Sequence, residues 1–237
     1  NVNITSAKNQ DLQIGDDKIH DLTINQDTDA RINYFTANGS IDGDLTITRG
    51  IFDTFNRTLT VDGDCSIAAD GKLEANVSGG KDVTLGSLTI ASGGIYNATS
   101  ATTTITNNTA SGAYAIDNAG TFTHNSGTVT YTGPSDEHSS FRGLTSSHPF
   151  YNLICNQTAS GMNLGIYGEC VIVGDFTMTD GTFLPQGQGP LTIHGLTNIA
   201  SGAVLGDGSD ATVTFNSLVT NSGTLKLKSG QSYDFNG

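Results

Sequence analysis

One short pattern recurs along this chain and limits what it can become: an apolar residue, a threonine, then another apolar residue. It occurs at Leu22-Thr23-Ile24, Leu45-Thr46-Ile47, Leu59-Thr60-Val61, Leu88-Thr89-Ile90 and Leu191-Thr192-Ile193, with Phe176-Thr177-Met178 as a variant. Successive residues of a β-strand point to opposite sides, so each triplet reads as a strand with one buried and one open face. Gly, Asn or Asp flanks most copies, and these are the residues that turn a chain sharply. The spacing suggests a structural rung of roughly 20 residues. Helix is disfavoured by the same text, since Glu stands only at Glu74, Glu137 and Glu169 and good helix formers are scarce.

A longer duplication lies above the rungs. Asp21-Leu22-Thr23-Ile24-Asn25-Gln26 matches Asn152-Leu153-Ile154-Cys155-Asn156-Gln157, an offset of 131 (152 − 21). At the same offset Gly43-Asp44-Leu45-Thr46-Ile47-Thr48 meets Gly174-Asp175-Phe176-Thr177-Met178-Thr179, Gly50 meets Gly181, and Phe52 meets Phe183. With small gaps the match continues through Leu59 with Leu191, Gly63 with Gly195, Val83 with Val213, and Ser87-Leu88 with Ser217-Leu218. The matched positions are apolar strand residues and turn glycines, the parts a repeated fold constrains. Residues 1–127 then form a first repeat unit and 128–237 a second, incomplete at its C-terminal end, within one continuous elongated domain.

These features predict an all-β fold, a parallel β-solenoid (β-helix) with an internal duplication of about 130 residues. A tandem β-sandwich is the alternative. Two-residue hairpin turns of the Asn-Gly type are almost missing, with Asn38-Gly39 alone before Asn236-Gly237, and that favours coils over hairpins. Phrases such as Gly120-Thr121-Phe122-Thr123, Gly127-Thr128-Val129-Thr130-Tyr131-Thr132-Gly133 and Phe150-Tyr151-Asn152-Leu153 resemble repeat regions of secreted bacterial β-helix adhesins and of phage or viral fibre proteins. The resemblance implies an extracellular, elongated, often self-associating protein, at the cell surface or virion surface. It carries no active site with it.

Composition narrows the partners. The formal net charge is −13 and the isoelectric point about 4.4, a field that repels nucleic acid and anionic membranes. No apolar run approaches the roughly 18 residues of a membrane span, so no membrane insertion is expected. The chain starts at Asn1 with no signal peptide, as expected if one was removed or if the sequence is a fragment. Cys65, Cys155 and Cys170 are odd in number and match no zinc or redox spacing, and Cys155 stands where the first unit has Ile24, a core position.

Candidate sites are few. Asp42-Gly43-Asp44 and Asp62-Gly63-Asp64 lie one rung apart, so Asp42, Asp44, Asp62 and Asp64 are candidate calcium ligands, set against ordinary solvated turns. The second unit has Gly174-Asp175 and His194-Gly195-Leu196 there, so the pair is not a repeated device. Asp27, Asp29, Asp207 and Asp210 are weaker. The segment from Gly133 to Phe150 holds Asp136, Glu137, His138, Arg142 and His148. A glycoside-cleaving carboxylate pair is weighed there against a polar junction loop, and adjacent strand residues face opposite ways, which favours the loop. Arg31, Arg49, Arg57 and Arg142 lie far apart. Tyr114, Tyr131, Tyr151 and Tyr167 could line a sugar groove, with core packing as the simpler reading. The Asn-x-Ser/Thr sequons at Asn3, Asn38, Asn56, Asn76, Asn97, Asn107 and Asn156 permit glycosylation without indicating it.

The expected function is a structural subunit of an extracellular fibre or filament, non-enzymatic, self-associating by end-to-end or strand-donating contacts, and adhesive toward glycans or a cell-surface receptor. The alternative is a tailspike-like or lyase-like β-helix acting on polysaccharide. No cofactor other than calcium is expected.

Overall fold

A computed structural model describes residues 1–13, 18–27, 30–34, 40–75, 80–106, 114–133, 139–157, 163–185, 189–206, 212–226 and 233–235. Among them the chain is all-β, with no helix and hence none long and apolar enough to cross a membrane. The strands stack in parallel as a β-solenoid. The tandem sandwich would need antiparallel neighbours, and the registered pairs described below are parallel throughout.

Two compact units divide the chain: residues Asn1–Thr109 with Asp117–Gly127, and Ala110–Ile116 with Thr128–Gly237. In the first, each turn of the coil lays down three short strand positions, called here the first, second and third faces. The first face stacks Val2–Ile4 on Leu22–Asn25, then on 45–47, 65–67 and 88–90. The second face stacks Gln10–Leu12, Arg31–Tyr34, 51–53, 72–74, Ile95–Asn97 and Thr121–Thr123. The third stacks Ser40–Ile41, 59–61, 83–85 and 103–105. Rung length follows from the register: Leu22 faces Leu45, 23 residues on, and Leu45 faces Cys65, 20 residues on. The rung expected from the triplet spacing is therefore present.

The register explains why the triplets work. Their apolar residues form two inward columns, Leu22–Leu45–Cys65–Leu88 and Ile24–Ile47–Ile67–Ile90, with no member more than 1% exposed. Burying each such side chain contributes about 1.5–3 kcal/mol. Between the columns, Thr23, Thr46 and Ser66 face outward and are half-buried. The second face adds the inward column Ile32–Phe52–Leu73–Tyr96–Phe122. Tyr96 meets Phe122 at a ring distance of 5.8 Å and satisfies its hydroxyl on Thr103 Oγ1 at 2.9 Å.

The second unit uses the same plan. Its first face stacks Thr128–Tyr131, Asn152–Asn156, Phe176–Asp180, Thr197–Ile199 and Val219–Asn221. The second stacks Ser139–Arg142, Asn163–Tyr167, Thr182–Pro185, Val204–Gly206 and Thr224–Lys226. The third stacks Cys170–Ile172, Leu191–Ile193, Val213–Phe215 and Tyr233–Phe235. Gly50 and Gly181, matched in the duplication, both turn in the left-handed region, at φ 92° and 85°. A Cβ on either would press into the side chain of Gln26 or Gln157 one rung away, so glycine serves both the turn and the close approach.

One matched pair is corrected by the register. Leu88 sits opposite Cys65 and is fully buried, but the residue opposite Thr197 is Val219, not Leu218. Leu218 stands one place earlier, in the corner, and is 66% exposed. A one-residue slip sends a strand side chain to the other side, which is why text similarity alone misassigned it.

Candidate functional site

The corner between the third and first faces is where the candidate carboxylates meet. Asp21, Asp44, Asp64 and Ser87 occupy the same place in successive rungs of the first unit. Asp21 Oδ1 accepts the Asp44 N–H at 3.1 Å, Asp44 Oδ1 accepts the Asp64 N–H at 2.8 Å, and Asp64 Oδ1 accepts the Ser87 hydroxyl at 2.6 Å. The Gly63 N–H donates to the Gly43 carbonyl at 3.0 Å, so the two Asp-Gly-Asp turns do stack. The Asp44 and Asp64 carboxylates serve the stack itself, each holding the next rung through one oxygen. The Asp44 N–H lowers the Asp21 carboxyl below its ordinary value, helped by His20 at 2.9 Å. Asp42 lies outside this column, held 3.1 Å from Lys18 Nζ and 3.0 Å from Ser40 Oγ, and the Lys18 contact lowers its carboxyl too. Asp62 is exposed. Among the described residues no three or more His, Cys, Asp or Glu side chains gather where they could hold a metal ion.

Other charged groups also go into the stack. Arg31 pairs with Asp53, which is only 1% exposed, and Asp53 Oδ1 also accepts the Phe55 N–H at 2.8 Å. That second bond steadies a corner in which Phe55 and Asn56 both take positive φ, 48° and 59°. One rung on, Glu74 takes the place of Asp53, pairs with Lys72, and accepts from Asn97 Nδ2 at 3.1 and 3.2 Å. Arg49 bridges Gln26 O at 2.5 Å and Asp27 at 3.0 Å. Sequence reasoning missed this column, because residues 20–23 apart are joined only by the register. It also missed Gln26 and Gln157, which share one place in the duplication, are fully buried, and have no amide partner among the described residues. The repeated Asn-Gln pair was the available signal.

The three cysteines are buried. Burial pushes the Cys65 and Cys170 thiols up to about 12 and raises Cys155 well above its ordinary value. None is available as a thiolate near neutral pH. Cys155 fills the core opposite Met178, as its match with Ile24 implies.

The segment around the unit junction is only partly described. Asp136, Glu137 and His138 lie outside the described residues, as do Asp29, Asp207 and Asp210. The tyrosines divide. Tyr131 is core, 5.7 Å from Phe141 in an edge-to-face pair, and Phe141 continues the cluster to Phe150 at 5.3 Å. Tyr151 is half-buried. Tyr114 and Tyr167 overturn the core-packing reading: they meet edge to face at 5.9 Å on the surface of the second unit, and Tyr167 is 50% exposed. Arg142 lies 4.4 Å from the Tyr114 ring centre. Neither family models, curated proteins nor solved structures yield a match to this chain.

Proposed function

We propose that this chain is a structural subunit of an extracellular fibre or filament, non-catalytic, associating with copies of itself along the solenoid axis. The observation that carries this reading is where the polar chemistry goes. Asp21, Asp44 and Asp64 hold successive rungs, Arg31–Asp53 and Glu74–Asn97 tie neighbouring ones, and Asn152 and Asp175 repeat the corner bond in two rungs of the second unit. A fold that puts its carboxylates into cohesion between rungs suits a structural role.

The strands at the first and last described rungs supply a mode of association. Val2–Ile4 and Gln10–Leu12 have registered neighbours on one side only among the described residues, and so do Val219–Asn221, Thr224–Lys226 and Tyr233–Phe235. One-sided parallel strands are templates for another strand, from a second copy or from further rungs of the same polypeptide. A head-to-tail contact of this kind yields an open polymer when its rotation does not close into a ring.

Electron microscopy at neutral pH, with calcium and with chelator, tests the reading. Filaments are expected, and lysines at exposed edge positions, Asn3→Lys and Thr220→Lys, are expected to shorten them. Filaments lost in chelator would assign calcium to the acidic corner. Monomers alone, at every concentration, would defeat the self-association reading.

A further inference from the structure

We propose that Lys72 and Asn97 become joined by an isopeptide bond, a covalent link between successive rungs that the folded first unit makes for itself, with Glu74 carrying the proton. The modification goes beyond the structural reading and does not depend on assembly.

The register brings the three groups together. Lys72, Leu73 and Glu74 lie opposite Ile95, Tyr96 and Asn97. Leu73 and Tyr96 are fully buried, so strand alternation turns Lys72, Glu74, Ile95 and Asn97 out on one side of the second face. Glu74 Oε1 is shared: it contacts Lys72 Nζ and accepts from Asn97 Nδ2 at 3.2 Å, while Oε2 accepts from the same nitrogen at 3.1 Å. Amine and amide therefore meet on one carboxylate. The Ala75 N–H donates to Asn97 O at 2.9 Å and fixes the two strands beside them.

The surroundings favour the neutral forms that the reaction uses. Glu74 is buried, and in the register Lys72 stands between Ile51 and Ile95, both half-buried. Holding an ion pair away from water is costly, and one proton moved from Nζ to the carboxylate turns the pair into a neutral amine and a neutral acid. The Nζ lone pair then forms the new bond to Asn97 Cγ as the Cγ–Nδ2 bond breaks. Glu74 gives its proton to the leaving nitrogen and takes one from Nζ. The products are a secondary amide and ammonia, and no oxidant or reductant is consumed.

Two features make this trio suited to the step. The acid that must protonate the leaving nitrogen already touches it with both oxygens, and the nucleophile is held on the same group, so the reaction is a local one within the fold. Lysine can also give up its proton, whereas the guanidinium of Arg31, paired with Asp53 one rung below, keeps its own. The link would close the loop from Lys72 to Asn97 and constrain the unfolded chain, as a disulfide does.

Intact-mass spectrometry of the denatured full chain tests the bond. The expected mass is that of the sequence less one ammonia. Trypsin is expected to leave Lys72 uncut and to release a branched peptide joining the segments that carry Lys72 and Asn97. Lys72→Arg and Glu74→Gln are each expected to restore the full mass, and Asn97→Asp to lose water in place of ammonia. Thermal melts show which variants are folded. Cyclisation at Asn38-Gly39 would lose the same mass but would persist in Lys72→Arg. Full mass in the unsubstituted chain, or a loss of ammonia unchanged by Lys72→Arg, overturns the proposal. A folded Glu74→Gln chain that keeps the branched peptide overturns the role of Glu74.

Discussion

The same corner of the coil keeps one chemistry in the lower rungs of the two units and parts company in the upper ones. In the first, the place just before the first face is held by Asp21, Asp44, Asp64 and Ser87. In the second it is held by Asn152, Asp175, Leu196 and Leu218. The lower two rungs are alike in function: Asn152 Oδ1 accepts the Asp175 N–H at 2.8 Å and Asp175 Oδ1 accepts the Leu196 N–H at 2.9 Å, as Asp21 and Asp44 do for Asp44 and Asp64. The upper two rungs diverge, with Leu196 at 51% and Leu218 at 66% exposed where the first unit has a carboxylate and a hydroxyl. The hydrogen-bonding requirement is thus on the side-chain oxygen, whether amide or carboxylate, and charge is optional. Where that requirement lapses, the outward corner accepts even leucine, because backbone bonds such as Thr197 N–H to Leu218 O at 3.0 Å already hold the rung.

The largest expected effects break what the units share. Ile47→Ala and Met178→Ala remove equivalent fully buried side chains, and each is expected to cost about 2–5 kcal/mol in urea unfolding. Two separate transitions, each moved by only one substitution, would show that the units unfold independently.

Alkaline pH should separate the units next. Burial raises the Cys65, Cys155 and Cys170 thiols, so the folded state keeps protons that the unfolded chain releases above about 9. Stability is then full below pH 9 and falls as pH rises toward 12. Between about pH 9 and 10 the second unit, with two such thiols, is expected to lose more per pH unit; above that the buried Tyr96 hydroxyl, also raised, steepens the first unit's decline. Cys155→Val with Cys170→Val should flatten the decline of the second unit. A thiol titration at pH 8 should find no reactive cysteine before unfolding.

The corner itself gives smaller effects. Asp44→Ala and Asp175→Ala each delete an exposed acceptor and are expected to lower stability by about 0.5–1 kcal/mol, whereas Asp44→Asn should restore most of it. Leu196→Asp is expected to change stability by no more than about 0.5 kcal/mol. A large loss there would mean that Leu196 packs rather than merely occupies the corner.

The smallest effect is acidic. Asp21 and Asp42 titrate below the ordinary value of 3.8, so their contribution is present above that pH and fades as pH falls through their lowered values. Asn152 has no such dependence. Urea midpoints between pH 5 and 2 should show Asp21→Asn with a shallower acid decline and Asn152→Asp with a steeper one.

Much of the architecture was legible in the chain. Apolar-Thr-apolar triplets specify strands with one inward face, Gly50 and Gly181 mark left-handed corners, and the 131-residue offset announces a repeated plan. These are local signals, set by side-chain alternation and by the φ values that only glycine adopts cheaply. The stacking of Asp42-Gly43-Asp44 on Asp62-Gly63-Asp64 followed from rung length, but what the carboxylates do there did not. Acceptors, ion pairs and exposed clusters join residues in neighbouring rungs, and a slip of one place reverses which side each one faces. The tertiary register therefore decided that Asp44 and Asp64 bind backbone and hydroxyl groups, that Leu218 points outward while Leu88 is buried, and that Tyr114 and Tyr167 meet Arg142 at the surface while Tyr131 fills the core.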